Sequence, residues 1–200
     1  MDSSPVSADD DKKAFRRRLV QALIDSIVDK GYQNTTVADI VRRAKTSRRT
    51  FYQHFDSREA CFVAVLTKIN TQHVGAIAAA VDQTAPWQAQ VRQAVEAWIG
   101  SYQAHPELMR AWIRDVPTLG ASARALQRES MNNFVAMVQA LTGTERFHAA
   151  GVAISRPRTI MLLGGLRELT ATTVESGGDV ADITEEAVTA CIALLTPRTD

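Results

Sequence analysis

The 200-residue chain is 46% hydrophobic, which is enough to bury a core in one large domain or two small ones, and its net charge is only +1. Its two cysteines, Cys61 and Cys191, have neither metal-ligand spacing nor the repetition of a disulfide framework, so we expect two small buried side chains. No apolar run reaches membrane-spanning length, and the first residues do not follow the pattern of a signal peptide. The sequence therefore predicts a cytoplasmic protein.

The charge is unevenly distributed along the chain. Residues 1–11 carry four acidic side chains and no Lys or Arg, residues 12–60 carry twelve Lys and Arg against five Asp and Glu, and residues 61–200 carry eleven against thirteen. A basic segment on a near-neutral body fits a DNA-binding head on a regulatory core. Solvated helix surfaces would explain the same charges without nucleic acid, so the charge pattern alone leaves both interpretations open.

The N-terminal residues 1–11 are rich in Ser and Asp, which predicts a disordered acidic leader. A first helix is predicted from Lys12 to Lys30, because apolar residues recur every four positions from Phe15 to Ile27. Gly31 would end this helix as a C′ residue. Arg16 to Arg18 cluster near its start, where they could contact phosphates.

The stretch 36–55, TVADIVRRAKTSRRTFYQHF, predicts two short helices separated by a tight polar turn. Thr36, with a carboxylate three residues further on, has the spacing of a capping box for the first helix, and Ser47 is placed to cap the second. Phe51 and Phe55 are four residues apart and would anchor one face of the second helix. The other faces of that helix carry long hydrogen-bond donors. A helix-turn-helix presents its recognition helix to the major groove of DNA in this way.

The span from Gly31 to Cys61 resembles the N-terminal domain of TetR/AcrR-type transcriptional regulators. The matching positions are Thr35, Thr36, Val37, Ile40, Ala44, Ser47, Thr50, Phe51, Tyr52, His54, Phe55, Arg58 and Glu59. Two positions depart from the pattern of the family. Lys45 stands where the turn usually has glycine, which would cost ~1–2 kcal/mol if the backbone is left-handed there. Arg49 stands where the recognition helix often has glycine, and it adds a cation on the groove side.

If the second helix reads DNA, arginine forks suit guanine and the glutamine amide suits adenine. We therefore expect Arg48, Arg49 and Gln53 to contact base edges. The phosphate contacts that we expect are Thr36, Lys45, Ser47, Tyr52, His54 and Arg58, and the wider set of DNA-binding candidates adds Thr46 and Thr50. Phosphate contacts would fix the register on the duplex without reading its sequence.

Helical patterns continue to the end of the chain without a convincing strand or repeat. The predicted helices cover 57–80, a segment opened by Pro86, a segment opened by Pro106, 121–141, 157–175 and 183–195, and residues 142–156 form a loop with room for one helical turn. Asp182 and Glu185 are spaced as a capping box for the last helix. We expect an all-α protein of about nine helices, with a three-helix helix-turn-helix domain over 12–56 and a helical effector-binding and dimerisation domain over 57–200.

The resemblance implies a ligand pocket in the C-terminal part, with the helix over 57–80 linking it to the DNA-binding domain. The soft and flat side chains that would line an apolar pocket are Trp98, Tyr102, Met109, Trp112, Phe134, Met137 and Met161. The candidate polar anchors are Gln103, Arg110, Arg114, Asn132 and Asn133. Taken one at a time, each apolar residue is better explained as core filling.

Two adjacent glycines interrupt the helix over 157–175. Gly164 and Gly165 each cost ~1 kcal/mol relative to alanine, and close approach of a neighbouring helix would offset that cost. We therefore expect a two-fold dimer interface formed by the helices over 157–175 and 183–195. Its residues would be Leu162, Gly164, Gly165, Leu169, Val188, Cys191 and Leu194. The alternative is a kink or a ligand that approaches the backbone, and the dimer is favoured.

Enzyme chemistry finds little support in the sequence. The four histidines are scattered without metal spacing, and no glycine-rich phosphate loop follows a strand. The sequence predicts a homodimeric, ligand-responsive repressor that binds palindromic double-stranded DNA, is released by a small hydrophobic or aromatic effector, and uses no cofactor or metal. Two alternatives stay open: a DNA-binding dimer without an effector pocket, and a ligand-binding protein or enzyme with a decayed DNA-binding head.

Overall fold

The structure is a computed structural model that describes residues 8–104 and 106–196. Across those residues the chain forms ten α-helices and no strand, which confirms the predicted all-α class. The helices are α1 (Ala8–Lys30), α2 (Val37–Arg43), α3 (Arg48–Tyr52), α4 (Arg58–Ala80), α5 (Trp87–Ala104), α6 (Pro106–Arg114), α7 (Gly120–Thr142), α8 (Glu145–Ala149), α9 (Arg156–Glu175) and α10 (Thr184–Leu195). The count is one above the expected nine because α8 forms within the predicted loop. None of these helices is long and apolar enough to cross a membrane.

Two predicted boundaries are corrected. Helix α1 begins at Ala8, so the disordered leader predicted over 1–11 is wrong for its last four residues; residues 1–7 lie outside the described part of the chain. Asp10 and Asp11 lie in the first turn of α1, where the helix dipole favours carboxylates. The capping box predicted for the last helix is also wrong, because α10 starts after Ile183 without a side-chain cap. The Asp179 carboxylate instead accepts from Ala181 N–H at 2.9 Å and caps a 3₁₀ turn ahead of α10.

We call α1 to α3 the head and α4 to α10 the body. The head closes around side chains from all three of its helices, since Ile27 of α1, Ile40 of α2 and Phe51 of α3 are fully buried. Phe62 of α4 joins this cluster and stacks on Tyr32, with 3.9 Å between the ring centroids. Burial stabilises each large apolar side chain by roughly 1.5–3 kcal/mol, so this cluster holds the head helices in place.

The body has its own core, which α5, α7, α9 and α10 form together with the second half of α4. Its buried members include Ile77, Val95, Trp98, Phe134, Leu163 and Val188. Helix α4 therefore takes part in both cores, with Phe62 in that of the head and Ile77 in that of the body.

Helix α6 also connects the two cores. Leu108 and Ala111 are three residues apart on one face and are buried in the core of the head, whereas Met109 is buried in the core of the body. Next to this helix, the Gln33 side chain donates a hydrogen bond of 2.7 Å to the Asp115 carboxylate. The two sides of a nine-residue helix thus contact the head and the body.

Candidate DNA-binding surface and ligand cavity

The two short helices of the head begin at the predicted caps. Thr36 N–H donates to the Asp39 carboxylate at 2.9 Å, and the Thr36 hydroxyl accepts from Asp39 N–H at 3.3 Å, so the capping box is present. Hydrogen bonds from Lys30 and then from Thr36 hold the pKa of the Asp39 carboxyl well below its usual range. Ser47 Oγ accepts from Thr50 N–H at 3.0 Å and starts α3. These local bonds fix the angle at which α3 leaves the turn.

The turn between α2 and α3 keeps its geometry without glycine. Lys45 has φ +50. The backbone is therefore left-handed at the position where lysine stands in place of the expected glycine. The backbone N–H of Thr46 donates to the Val41 carbonyl at 2.9 Å and closes the end of α2. An L-residue pays about 1–2 kcal/mol for this conformation, so the turn is strained at Lys45.

The recognition helix α3 spans Arg48–Tyr52, three residues shorter than the predicted stretch to Phe55. Phe51 and Phe55 are buried and seat the helix on the core of the head. Arg48, Arg49 and Gln53 are exposed, and their side chains make no hydrogen bond or ion pair to another described residue. The three predicted base-reading side chains therefore project from α3 and its C-cap residue, Gln53, and none of them is held by a hydrogen bond or ion pair to a described residue.

The other predicted DNA contacts differ in exposure. Thr36, Lys45, Ser47 and Tyr52 are exposed, with 55% of Tyr52 accessible, whereas Thr46, Thr50 and His54 are partly buried. His54 lies near the ring of Phe15, with 6.4 Å between the centroids. Burial lowers the pKa of His54, and Lys12 and Arg16 lower it further, which favours the neutral imidazole at pH 7.

Arg58 does not fit the predicted phosphate contact. Its guanidinium donates to the backbone carbonyls of Thr35 at 2.7 Å and Tyr32 at 3.3 Å, and it lies 4.3 Å from the centroid of the Tyr32 ring. It also pairs with Glu59 at 3.4 Å. These internal contacts occupy the guanidinium, so Arg58 connects the start of α4 to the turn that follows α1.

Helix α1 adds cations beside α3. Arg16 lies 4.9 Å above the centroid of the Phe55 ring, and Arg17 and Arg18 line an open groove that Lys68 of α4 completes. That the start of α1 contacts phosphates stays a prediction. The head thus exposes cations on α1 as well as on α3.

Five of the seven residues predicted for an effector pocket line one cavity in the body. They are Trp98, Tyr102, Met109, Trp112 and Phe134. Met137 lines a second cavity next to it. The prediction is wrong for Met161, which is 65% exposed, because Leu162 and Leu163 occupy the inward face of α9 and turn Met161 to the opposite side.

The predicted polar anchors lie away from this cavity. The Gln103 amide reaches the Asp179 carboxylate, Arg110 pairs with Glu107, Arg114 pairs with Glu175, the Asn132 carbonyl accepts from Arg156, and Asn133 lines a separate open groove. All five are exposed, so the expectation that they anchor a ligand is wrong. The polar residues that do line the cavity are Asn70, His73, Gln127, Ser130 and Arg167.

The sequence analysis missed His73 as a cavity residue. It is only 8% exposed, and the rings of Trp98, Tyr102 and Phe134 surround it with centroids 5.0 to 5.6 Å away. Its Nε2 atom has no hydrogen-bond partner among the described residues. Burial lowers the pKa of His73 to about 4, and the Trp98 backbone opposes that shift to a smaller extent, so the imidazole is neutral at pH 7.

The two cavities of the body are small and adjoin one another. The first has a volume of about 60 Å³ and the second of about 70 Å³. Trp98 and Leu163 line both and form the wall between them. The second cavity is almost wholly apolar, whereas the first contains a hydrogen bond of 2.6 Å from Ser130 Oγ to Asn70 Oδ1.

The predicted dimer residues divide into two groups. Leu162, Val188 and Cys191 are buried inside the protomer, so these three belong to its own core and the prediction is wrong for them. Gly165 and Leu169 are exposed on α9, and Gly164 and Leu194 are partly exposed. A Cβ atom built on either glycine would meet nothing within 4 Å, so no helix of the same chain approaches them closely.

A helix-turn-helix with outward cations is the arrangement with which such heads enter the major groove of DNA. Here it is joined to a body whose described residues form helices around two cavities. The family model described as bacterial regulatory proteins, tetR family, matches residues 19–65. That stretch covers the second half of α1, all of α2 and α3, and the start of α4. This stretch of the chain is therefore similar to that family of regulatory proteins.

The chain is 28% identical over 129 residues to the HTH-type transcriptional regulator BetI of Cronobacter sakazakii, a match that covers 60% of this chain and 64% of that protein. It is 32% identical over 83 residues to the HTH-type transcriptional activator FasR of Mycolicibacterium smegmatis, covering 42% and 38%. Both matches span less than two thirds of the relative. A TetR-family regulator from Streptomyces coelicolor has the same fold, with a TM-score of 0.74 and 13% identity over 91% of this chain and 80% of that chain.

Proposed function

We propose that this protein is a ligand-responsive transcriptional repressor that binds a palindromic operator as a homodimer and is released by a small, largely apolar effector. The observation that carries the proposal is the recognition helix. Arg48, Arg49 and Gln53 project from a helix that Phe51 and Phe55 anchor, and their side chains form no hydrogen bond or ion pair with the residues that the structure describes. Arginine and glutamine are the side chains that read guanine and adenine in the major groove. Since the proposed partner is DNA, we also propose a cytoplasmic location.

The dimer would form through the exposed face of α9. Met161, Gly165 and Leu169 follow one another at intervals of four residues and are all exposed, with Ile160 beside them. An apolar stripe with an open glycine at its centre suits a second copy of the same helix related by a two-fold axis. Ala190, Ala193 and Leu194 on α10 would widen the contact.

Sedimentation analysis of the double variant Met161→Glu/Leu169→Glu tests this interface. We expect monomers, because four carboxylates would meet across the two-fold axis, while the control Val28→Glu, an exposed apolar position on α1, stays dimeric. If the double variant sediments as the wild-type dimer does, the interface lies elsewhere. Reduced operator affinity should accompany the loss of the dimer, since each half-site would then be bound alone.

The effector would act through the helices shared by the two cores. Met109 and Trp112 on α6 line the cavity, while Leu108 and Ala111 of the same helix are buried in the core of the head. A ligand that displaces the rigid side chain of Trp112 would therefore shift α6 against the head. By linkage, a ligand that lowers operator affinity binds the free protein more tightly than the DNA-bound protein.

Selection of bound fragments from the source genome, followed by anisotropy titration across salt concentrations, tests the DNA-binding part. We expect an enriched palindrome and a steep loss of affinity with salt, as phosphate contacts require. Binding that is weak and indifferent to sequence would favour the decayed-head alternative. Titrating the selected fragment in the presence of small apolar compounds then tests for release.

One observation favours a second candidate, a DNA-binding dimer without an effector. Ligand pockets for drug-sized molecules measure ~300–1,000 Å³, whereas the two cavities of the body measure about 60 and 70 Å³. An effector must therefore be small or must open the wall between the cavities. If a broad screen by thermal shift finds no stabilising compound while operator binding is specific, this second candidate is favoured.

A further inference from the structure

The buried His73 brings to the first cavity a polar atom that has no hydrogen-bond partner among the described residues, and a purely apolar effector would leave that atom unpaired. A buried polar atom without a partner is costly, and such atoms are rare in native proteins. Three unpartnered buried side-chain atoms occur among the described residues, and His73 Nε2 is the one that belongs to a residue lining the first cavity. Because only 8% of His73 is exposed, water from the bulk solvent does not readily form a hydrogen bond with its Nε2 atom.

The aromatic side chains around His73 favour a ligand with a flat ring. Trp98, Tyr102 and Phe134 flank the imidazole, and their ring planes lie at 44°, 71° and 82° to it. Aromatic rings arranged at such angles favour edge and offset contacts with a further ring. Met109 and Met131 line the same cavity and are flexible enough to make room. An aromatic body is therefore the shape that these walls accept.

The neutral state of the imidazole limits which polar groups of a ligand can pair with it. One ring nitrogen carries a proton and the other accepts a hydrogen bond. A hydroxyl group both donates and accepts, so it can pair with Nε2 in either tautomer. A carboxylate only accepts, so it could pair only with the tautomer that carries its proton on Nε2. Burying its charge beside the aromatic rings would also cost more than burying a neutral hydroxyl. A neutral hydroxyl is therefore preferred over an acid at this position.

We infer that His73 is the polar anchor of the effector cavity and that the effector is a small aromatic compound whose hydroxyl group pairs with His73 Nε2. This inference rests on the proposed ligand-responsive function and names the ligand class for the same site. The two adjoining cavities have about 60 and 70 Å³, and a cavity of ~150 Å³ holds one benzene molecule. Movement at Trp98 or Leu163, which form the wall, would merge them into a site of that order.

Phenol and toluene test the inference, because they differ by one hydroxyl in place of one methyl, and benzoate adds an anionic arm. Calorimetric titration of each compound into the full chain gives the ratio of phenol to toluene affinity. In His73→Phe we expect this ratio to fall roughly tenfold relative to wild type, since the variant keeps a flat ring and removes the hydrogen bond. His73→Gln, whose amide can reach the position of Nε2, should restore part of the ratio.

The exposed His148 on α8 supplies the matched control, and His148→Phe should leave the ratio at its wild-type value. An unchanged ratio in a folded His73→Phe protein would overturn the anchor, while toluene binding would still support an apolar effector site. Preference for benzoate over phenol would overturn the neutral hydroxyl. If none of the three compounds binds, the inference fails, and operator release by compounds of other classes decides separately whether the proposed function stands.

Discussion

The head and the body use the same element, the α-helix, but they hold their functional side chains in opposite ways. In the head, capping bonds within four residues set α2 and α3, and the candidate base-reading side chains project outward without a hydrogen bond or ion pair to any described residue. In the body, the candidate ligand-binding groups lie inside, and side chains from α4, α5, α6 and α7 must meet to form the cavity. A surface that reads DNA needs exposed donors, whereas a cavity that recognises a small apolar ligand needs burial.

The largest effect should appear at the outward side chains of the head. Arg48→Ala and Arg49→Ala should each weaken binding to the selected operator about 5- to 150-fold, because a bidentate contact to guanine contributes ~1–3 kcal/mol of discrimination. Each variant should also relax base preference at one or two operator positions in a substitution series read by anisotropy. The exposed Arg124 on α7 provides the control, and Arg124→Ala should bind as wild type does. A full series without any change for Arg49→Ala would remove this residue from base reading.

The difference between head and body also explains which features the sequence could predict. Thr36 and Ser47 were identifiable as caps because a cap depends on residues three positions away. Phe51 and Phe55 were identifiable as anchors for the same reason, since helical spacing relates them. Local rules of this kind decide most of the geometry of the head.

The body required information that spacing along one helix does not contain. Helix α9 is apolar on both sides, so periodicity could not separate the exposed Met161 from its buried neighbours Leu162 and Leu163. His73 lies on α4, and its aromatic neighbours come from α5 and α7. One signal was available: the polar His73 lies four residues from the apolar Ile69 and Ile77, on the stripe that faces the cavity.

A pH titration tests whether His73 is buried and neutral in the body. Its pKa is about 4 in the folded chain and ~6.5 when unfolded, so the unfolded chain takes up the proton first as the pH falls. The stability from this group is therefore complete above about pH 6.5 and is lost progressively toward pH 4, by roughly 3 kcal/mol in total. Urea unfolding from pH 7 to pH 4.5 measures the slope. His73→Phe should reduce the slope and His148→Phe should not, while the slope that His54 contributes remains in all three proteins. Equal slopes in all three proteins would show that His73 is accessible to solvent.

A smaller loss should follow when the tie between the head and α4 is cut at Arg58. Arg58→Met keeps the aliphatic stem over Tyr32 but removes the donors to two carbonyls. Because hydrogen bonds to charged groups contribute ~1.5–3 kcal/mol, we expect a stability loss of that order in urea unfolding. The control is Arg128→Met at an exposed position of α7. Normal stability combined with a salt dependence of operator binding reduced by about one phosphate would instead restore Arg58 as a DNA contact.

The smallest effect is expected at Lys45, in the strained turn of the head. Two substitutions there separate the cost of backbone strain from the contribution of the lysine to DNA binding. Lys45→Gly should stabilise the protein by about 0.5–1 kcal/mol, because glycine adopts φ +50 without a Cβ penalty and part of that gain is offset by a more flexible unfolded chain. Gln83→Gly, at an exposed position between α4 and α5 where φ is not positive, should destabilise slightly. Lys45→Ala removes the cation and keeps the strain, so both Lys45 variants should lose the same operator affinity while the glycine variant alone gains stability. If Lys45→Gly is less stable than wild type, the left-handed turn is relaxed in solution and the lysine fits it at no cost.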